Sequence, residues 1–407
     1  MLLRKFSIAA IALIIAAPFS GLSQTTQAAT FTSTEVKQVH HFQNQYSDLS
    51  KTEYDANNIY AQKPHLKRKF KEGVLAPAYI NDQLAYINYY RSLFGLNPIT
   101  ENKTAEKNAQ KTAAVMAAIN ANPFVNQHGL PGDKRPAFVG KSLWKLAQDT
   151  SETSNLNFNV NNESAGDVVT DLITDRYNLT GSDTGHRAWL LSSRLSSTGI
   201  GAAYGSNGYR YSVEKVLNVN DIFREASQPV VAYPSARIFP IELAKGENVA
   251  WSLYLSDKTV NKNPKVTITD EDTGKSYSGT HVENYSDSAF GNFKSIITYS
   301  PGATPIVAGH QYEINIAGVY KYSFKLFEQD TAQIANQEAT PQSYQPIASL
   351  QKDAHSNSAL FDQSAKLSAT LKQKKNDPVK NGKYLDALKG EQWQNNFFIN
   401  RFIFQND

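Results

Sequence analysis

The spacing of apolar residues changes character once along this chain, and that change limits the fold more than any composition does. Before residue 198 apolar side chains recur at helical intervals. Ile80, Leu84, Ile87 and Phe94 share one face of a helix predicted over 81–94, which Gly95 and Pro98 close. Ala105, Ala109, Ala113 and Ala117 stand four apart in a second helix over 104–120, a small-residue face that permits close packing. In a third, over 164–177, Ala165, Val168, Val169, Leu172 and Ile173 form one stripe and leave a polar face to line a cleft. From Thr198 the period is that of strands: 199–204, the turn Gly205-Ser206-Asn207-Gly208 and 209–219 make a hairpin. Helices followed by paired strands imply a layered α/β unit.

Over 228–329 the helical period is gone. Strand-like runs at 249–255, 265–269, 293–299, 312–316 and 322–327 are separated by turn signals such as Asp272-Thr273-Gly274 and Pro301-Gly302, which predicts a small all-β sandwich. On either side the chain is polar. The lead segment 30–76, with the His40-His41 pair and the basic cluster Lys67-Arg68-Lys69, is expected to be partly helical at best. The stretch 331–407 is rich in Gln, Asn, Ser and Lys, including Lys366, Lys372, Lys374, Lys375, Lys380, Lys383 and Lys389. It is expected to be largely disordered, with a short aromatic piece at 393–404.

A chain of 407 residues exceeds what one core usually absorbs, which fits several units. Its first residues read as an export address: Arg4 and Lys5 precede an apolar run over 8–17, and the small residues Ala28 and Ala29 follow, so cleavage is expected after one of them. The run is shorter than the roughly 20 apolar residues a membrane-spanning helix needs, and no transmembrane anchor is expected in the mature protein. The chain has no cysteine, so disulfides are excluded and stability must come from packed cores. An exported protein without cysteine suits a Gram-positive bacterium, secreted or held non-covalently at the wall, and a monomer is expected. A net charge of +4, with no aromatics interleaved in a basic stripe, argues against nucleic acid.

Chemistry concentrates at two histidines, in Gln127-His128-Gly129 and in Gly185-His186-Arg187-Ala188-Trp189-Leu190-Leu191, with the acids Glu163 and Asp175 between them. Two imidazoles and two carboxylates suit a divalent metal or paired acid and base work. Each also has a bland reading: Glu163 as a first-turn helix acid, His128 as a loop histidine bonding its own backbone, His186 as a helix-start residue. Trp189, Leu190 and Leu191 read as core, and Arg187 as half of a structural ion pair.

Asn88-Tyr89-Tyr90-Arg91 with Gly95-Leu96-Asn97-Pro98 resembles the opening of a CAP (SCP-like) domain, and Gly185 to Leu191 followed by Thr198-Gly199-Ile200-Gly201 is similar to the bacterial form of that family's second-histidine motif. In order, these pieces span residues 80–219, within a CAP unit drawn over 77–222. The resemblance implies a three-layer α-β-α sandwich with a cleft lined by His128, Glu163, Asp175 and His186. At the second acid position this chain departs from many relatives: Asp175 stands in place of a glutamate, and Leu172 in place of a tryptophan.

Three functions follow as expectations. The first is a binding module for a divalent metal, zinc through His128 and His186, or for a small ligand or cell-wall polymer at the envelope. The second is a metal-assisted hydrolase acting on peptide or wall polymer through a water activated on His128 and His186; against it, there is no Gly-x-Ser-x-Gly elbow, no His-Glu-x-x-His pair and no catalytic cysteine. The third is a structural adhesin that works through the β-sandwich.

Overall fold

A computed structural model describes residues 30–160, 162–179 and 182–330. The expected export address over 1–29 and the lysine-rich stretch 331–407 lie outside the described residues.

The first unit is built on one mixed sheet. Its strands, β1 (Thr100–Glu101), β2 (Ser154–Asn159), β3 (Ser197–Tyr204) and β4 (Arg210–Lys215), lie in the order β1-β3-β4-β2. β3 and β4 are the hairpin expected from the sequence. Six helices accompany the sheet: α1 (Ser33–Ser47), α2 (Pro77–Leu93), α3 (Lys103–Ile119), α4 (Lys141–Glu152), α5 (Ala165–Thr174) and α6 (Gly185–Leu190). Local chemistry sets their ends. Pro77 fills the first turn of α2, where its missing N–H costs nothing. The Asn102 side chain accepts the first free amides of α3, and Asn120 ends that helix in the left-handed region.

Side chains alternate across the sheet, so its two faces carry different residues. One face takes Leu156, Ala203, Tyr211 and Val213 into a core with the alanines of α3. Gly199 and Gly201 make the approach possible: a Cβ on either would stand 2.2 Å from the backbone of α3, at Ala105 and at Ala109. The other face is covered by α2, α5 and α6. Only Ile200 and Ala202 there join an apolar cluster, with Tyr79, Ile80 and Ala165. The result is a three-layer α-β-α sandwich.

The second unit is a β-sandwich with nine described strands: β5 (Val230–Tyr233), β6 (Arg237–Pro240), β7 (Trp251–Leu255), β8 (Val266–Asp270), β9 (Lys275–Ser278), β10 (Thr280–Asn284), β11 (Ser295–Ser300), β12 (Gln311–Ile316) and β13 (Tyr320–Phe327). One sheet runs β6-β13-β12-β8-β9 and the other β10-β11-β7-β5. Trp251, Ile268, Ile297, Tyr312 and Phe324 fill the space between them.

The two units share one core. Tyr89, Leu93, Ile173, Ala188 and Leu191 continue without a break into Tyr233, Phe239, Trp251 and Tyr254. Arg187, fully buried, crosses this junction: its guanidinium donates to the carbonyls of Ile173, Thr174 and Ala250 and to Ser252 Oγ, and it lies 3.7 Å over the Tyr233 ring. Its side chain therefore bonds neutral acceptors across the junction, where the sequence suggested an ion pair. The lead segment also takes part. α1 is a complete four-turn helix with a capping box, and it stacks Phe42 on Phe327 of the sandwich and Tyr46 against Tyr89 of α2.

Candidate functional site

His128 sits in the loop between α3 and α4, held from the C-terminal turn of α4. Its Nδ1 is 2.7 Å from the Ser151 carbonyl oxygen, and the next amide, Gly129 N, donates to Ser151 Oγ at 3.0 Å. Gly129 has φ +75°, and a Cβ there would meet the Glu152 carboxylate at 2.8 Å, which explains glycine after the histidine. Burial pushes the His128 imidazole down to about 4, so it is neutral at physiological pH; the nearby His186 pushes the same way.

His186 is the second residue of α6, and its Nδ1 lies 2.8 Å from Asp175 Oδ1. The other carboxylate oxygen, Oδ2, accepts the Arg187 amide at 3.1 Å. Asp175 can do both because it is the C-cap of α5 in the left-handed conformation, turned toward the start of α6. Burial pulls His186 down, but the Asp175 carboxylate more than offsets this and holds it above the ordinary histidine range. With 5% of its surface exposed, Asp175 supports His186 from behind.

Glu163 precedes α5, whose N-cap is Ser164, with Asp167 completing a capping box. A two-residue pairing with Glu53–Tyr54 of the lead segment, Tyr54 opposite Glu163, fixes its backbone. Its carboxylate accepts from Arg210 Nη2 at 3.0 Å and from the Asn159 amide. Burial pushes Glu163 up to about 7. Near the end of the second turn of α5, Asp171 is pushed up to about 8, by burial first and then by the Glu163 charge.

Strand β2 ties these groups together. Asn155, Asn157 and Asn159 project from one face of it and each donates its amide to a different member: the His186 carbonyl at 3.0 Å, Asp171 Oδ2 at 3.5 Å, and Glu163. Opposite them on β4 stand Glu214, Ser212 and Arg210. All three are buried, yet among the described residues Arg210 Nε, Ser212 Oγ and both carboxyl oxygens of Glu214 have no hydrogen-bond partner, nor has Asn159 Oδ1. Burial pushes Glu214 up to about 8, opposed by His186 nearby, so it is mostly protonated at neutral pH.

Of the four residues singled out in the sequence, His128 and His186 come within electrostatic reach of each other, Asp175 anchors His186, and Glu163 groups with Asp171 and Arg210. Sequence reasoning missed Asp171, Glu214 and the asparagines of β2. The period-two alternation Asn155-Leu156-Asn157-Phe158-Asn159 was the available signal for that strand.

Whether a metal fits can be judged from the donors. Each imidazole is oriented through Nδ1 by an oxygen, a carbonyl for His128 and a carboxylate for His186. Among the described residues neither Nε2 has a hydrogen-bond partner. Histidines that ligate metals are held in this way. The four residues do not converge as a set of three or more ligand atoms. Among the described residues the one such set, Asp270, Asp272 and His310, lies in the β-sandwich, with its ligand atoms within 4.8 Å of one another.

A search of the curated proteins finds no match to this chain. The family model described as the cysteine-rich secretory protein family, CAP, matches residues 84–216. That stretch runs from α2 to the end of β4 and contains every group described around His128 and His186, so the first unit of this chain is a CAP domain.

Proposed function

We propose that this protein is a binding module of the cell envelope whose CAP cleft takes a divalent cation, zinc first, on His128 and His186. One observation carries the reading: both imidazoles are fixed through Nδ1 to oxygen acceptors, which leaves two Nε2 lone pairs as ligands. Such a cation would act as a Lewis acid for a small ligand or wall-polymer group in the cleft, with Glu163 and Asp171 as neighbouring carboxyls. His128 is neutral down to about 4 and has no proton to give up. His186, held protonated more firmly by Asp175, has one.

Calorimetric titration of the metal-free protein with zinc tests this. Binding is expected near neutral pH, weakening as pH falls and His186 takes up a proton, and absent from the His128→Ala, His186→Ala double variant. Equal binding by wild type and double variant would overturn it.

Export and wall association belong to the same proposal. They are supported by the residue pattern at 1–29 and by the lysines between Lys366 and Lys389. No described helix is long and apolar enough to cross a membrane. Association through exposed lysines is screened within about 8 Å at physiological ionic strength, so added salt is expected to release the protein from wall material. Deleting 331–407 is expected to remove that salt-sensitive component. Wall binding unchanged by both would refute the charge mechanism.

A further inference from the structure

Outside the CAP domain, one group of side chains has the composition and closeness of a cation site. β8 ends at Asp270, and the hairpin turn Asp270-Glu271-Asp272-Thr273-Gly274 leads into β9. His310 lies 40 residues later, at the entry to β12, which pairs with β8. The fold thus carries a turn carboxylate, a strand-end carboxylate and an imidazole to one corner of the sandwich.

The distances suit a shared ion. His310 Nδ1 lies 3.2 and 3.1 Å from Asp270 Oδ1 and Oδ2, and Asp272 completes a set whose ligand atoms all fall within 4.8 Å. Two ligand atoms of one tetrahedral zinc, each about 2.0–2.2 Å from the ion, stand roughly 3.3–3.5 Å apart, so the widest pair of the set needs to close by at most about 1.5 Å. The cluster is not a solvated acidic surface: Asp270 is 1% exposed and His310 2%. Backbone amides fix both aspartates. Asp270 Oδ1 accepts from the amides of Asp272 and Thr273, and Asp272 Oδ2 from that of Gln311 at 2.7 Å.

Charge gives a second, independent argument. Among the described residues His310 is the only ionic partner of Asp270, and Asp272 is in no salt bridge. Two carboxylates at a mostly buried corner thus face at most one positive charge, and buried carboxylates are stable when paired or bound to a metal.

We propose that Asp270, Asp272 and His310 form a second cation site, which takes a zinc-class divalent ion and pins the β8–β9 turn to the entry of β12. Two carboxylates and one imidazole match the oxygen and nitrogen ligands zinc accepts, with water in the remaining position. The site is separate from the CAP cleft and does not depend on metal binding there.

Equilibrium dialysis of the full chain against zinc chloride, with the His128→Ala, His186→Ala double variant beside wild type, tests it. The double variant is expected to retain one zinc per chain and a melting temperature that rises with zinc concentration. Adding Asp272→Asn keeps an oxygen for the Gln311 amide while removing the charge. It is expected to weaken the retained zinc at least tenfold, by analogy with the roughly 10–100-fold cost of losing even an outer partner of a ligand. Adding His310→Gln should do the same and abolish the zinc-dependent shift. A double variant that holds no zinc, or zinc retained unchanged through both substitutions, would show Asp270 and His310 to be a hydrogen-bonded pair only. Loss of one zinc between wild type and double variant reports on the CAP cleft alone, so the two proposals fail separately.

Discussion

The two faces of the CAP sheet show how one set of strands serves two purposes. Toward α3 the sheet presents glycine, alanine, aliphatic and aromatic side chains, packed so closely that two positions cannot carry a Cβ. Toward α5 and α6 the same strands present Asn155, Asn157, Asn159, Arg210, Ser212 and Glu214, and several of their buried polar atoms have no partner among the described residues. Burying polar groups without partners costs free energy, so the second face draws on the stability that the first supplies. Stability and candidate chemistry are separated by the thickness of one strand.

The sharpest way to break this contrast is on the apolar face. Gly201→Ala drives a methyl into the backbone of α3 and is expected to cost about 3 kcal/mol, since a packed core has no room to give. Denaturant unfolding measures it, and a cost below about 1 kcal/mol would mean that the helix can shift.

On the polar face the expected sign reverses. Glu214 has a folded-state value of about 8, above its unfolded one, so the stability its bound proton gives is complete at low pH and is lost as pH rises toward 8. Glu214→Gln removes that loss. The variant should be more stable than wild type by about 2 kcal/mol at pH 8, with the gain shrinking toward pH 5. A gain independent of pH would show that the carboxyl is not the titrating group.

His128 sharpens the comparison from the acid side. Its folded value, about 4, lies below the unfolded one, so between about 6.5 and 4 the unfolded chain takes up a proton that the folded protein refuses. Wild type should lose on the order of 2 kcal/mol over that window, and His128→Gln should lose less. Thermal melts at pH 7 and pH 5 compare the two. Parallel losses would assign the acid sensitivity to other groups.

The smallest effect is expected at the rim of the packed side, where Lys145 and Asp149 pair on the outside of α4 with 69% and 49% of their side chains exposed. Lys145→Ala should change stability by less than about 0.5 kcal/mol, because exposed pairs gain little over water. A larger loss would mean that the lysine stem packs on α4.

Much of this architecture was legible in advance. Helix periodicity located α2, α3 and α5 to within a few residues, and the alternation after Thr198 located the hairpin, because both patterns report a side that must be buried. α4 and β2 were missed for different reasons. α4 does carry Leu143, Trp144 and Ala147 on one side, but it is only 12 residues long and no side-chain cap marks its start. In β2 asparagine, a residue strands usually avoid, occupies the polar face and hides a regular alternation. The histidines and Glu163 were found from motif order, but spacing could not show that Asp175 turns back toward His186. That depends on a left-handed helix cap, which a sequence pattern does not display.

The buried Arg187 has a consequence for how this protein can be cut or recombined. The family match ends at residue 216, yet the guanidinium spends bonds on Ala250 and Ser252 and rests on Tyr233, all beyond that limit. A fragment ending near 216 would leave a buried cation facing water through an opened hydrophobic wall. The stretch recognised as a unit of descent is therefore not a unit that can be transplanted. A gene fusion or expression vector that borrows this CAP domain has to carry the sandwich with it, or replace Arg187 and its apolar surround together.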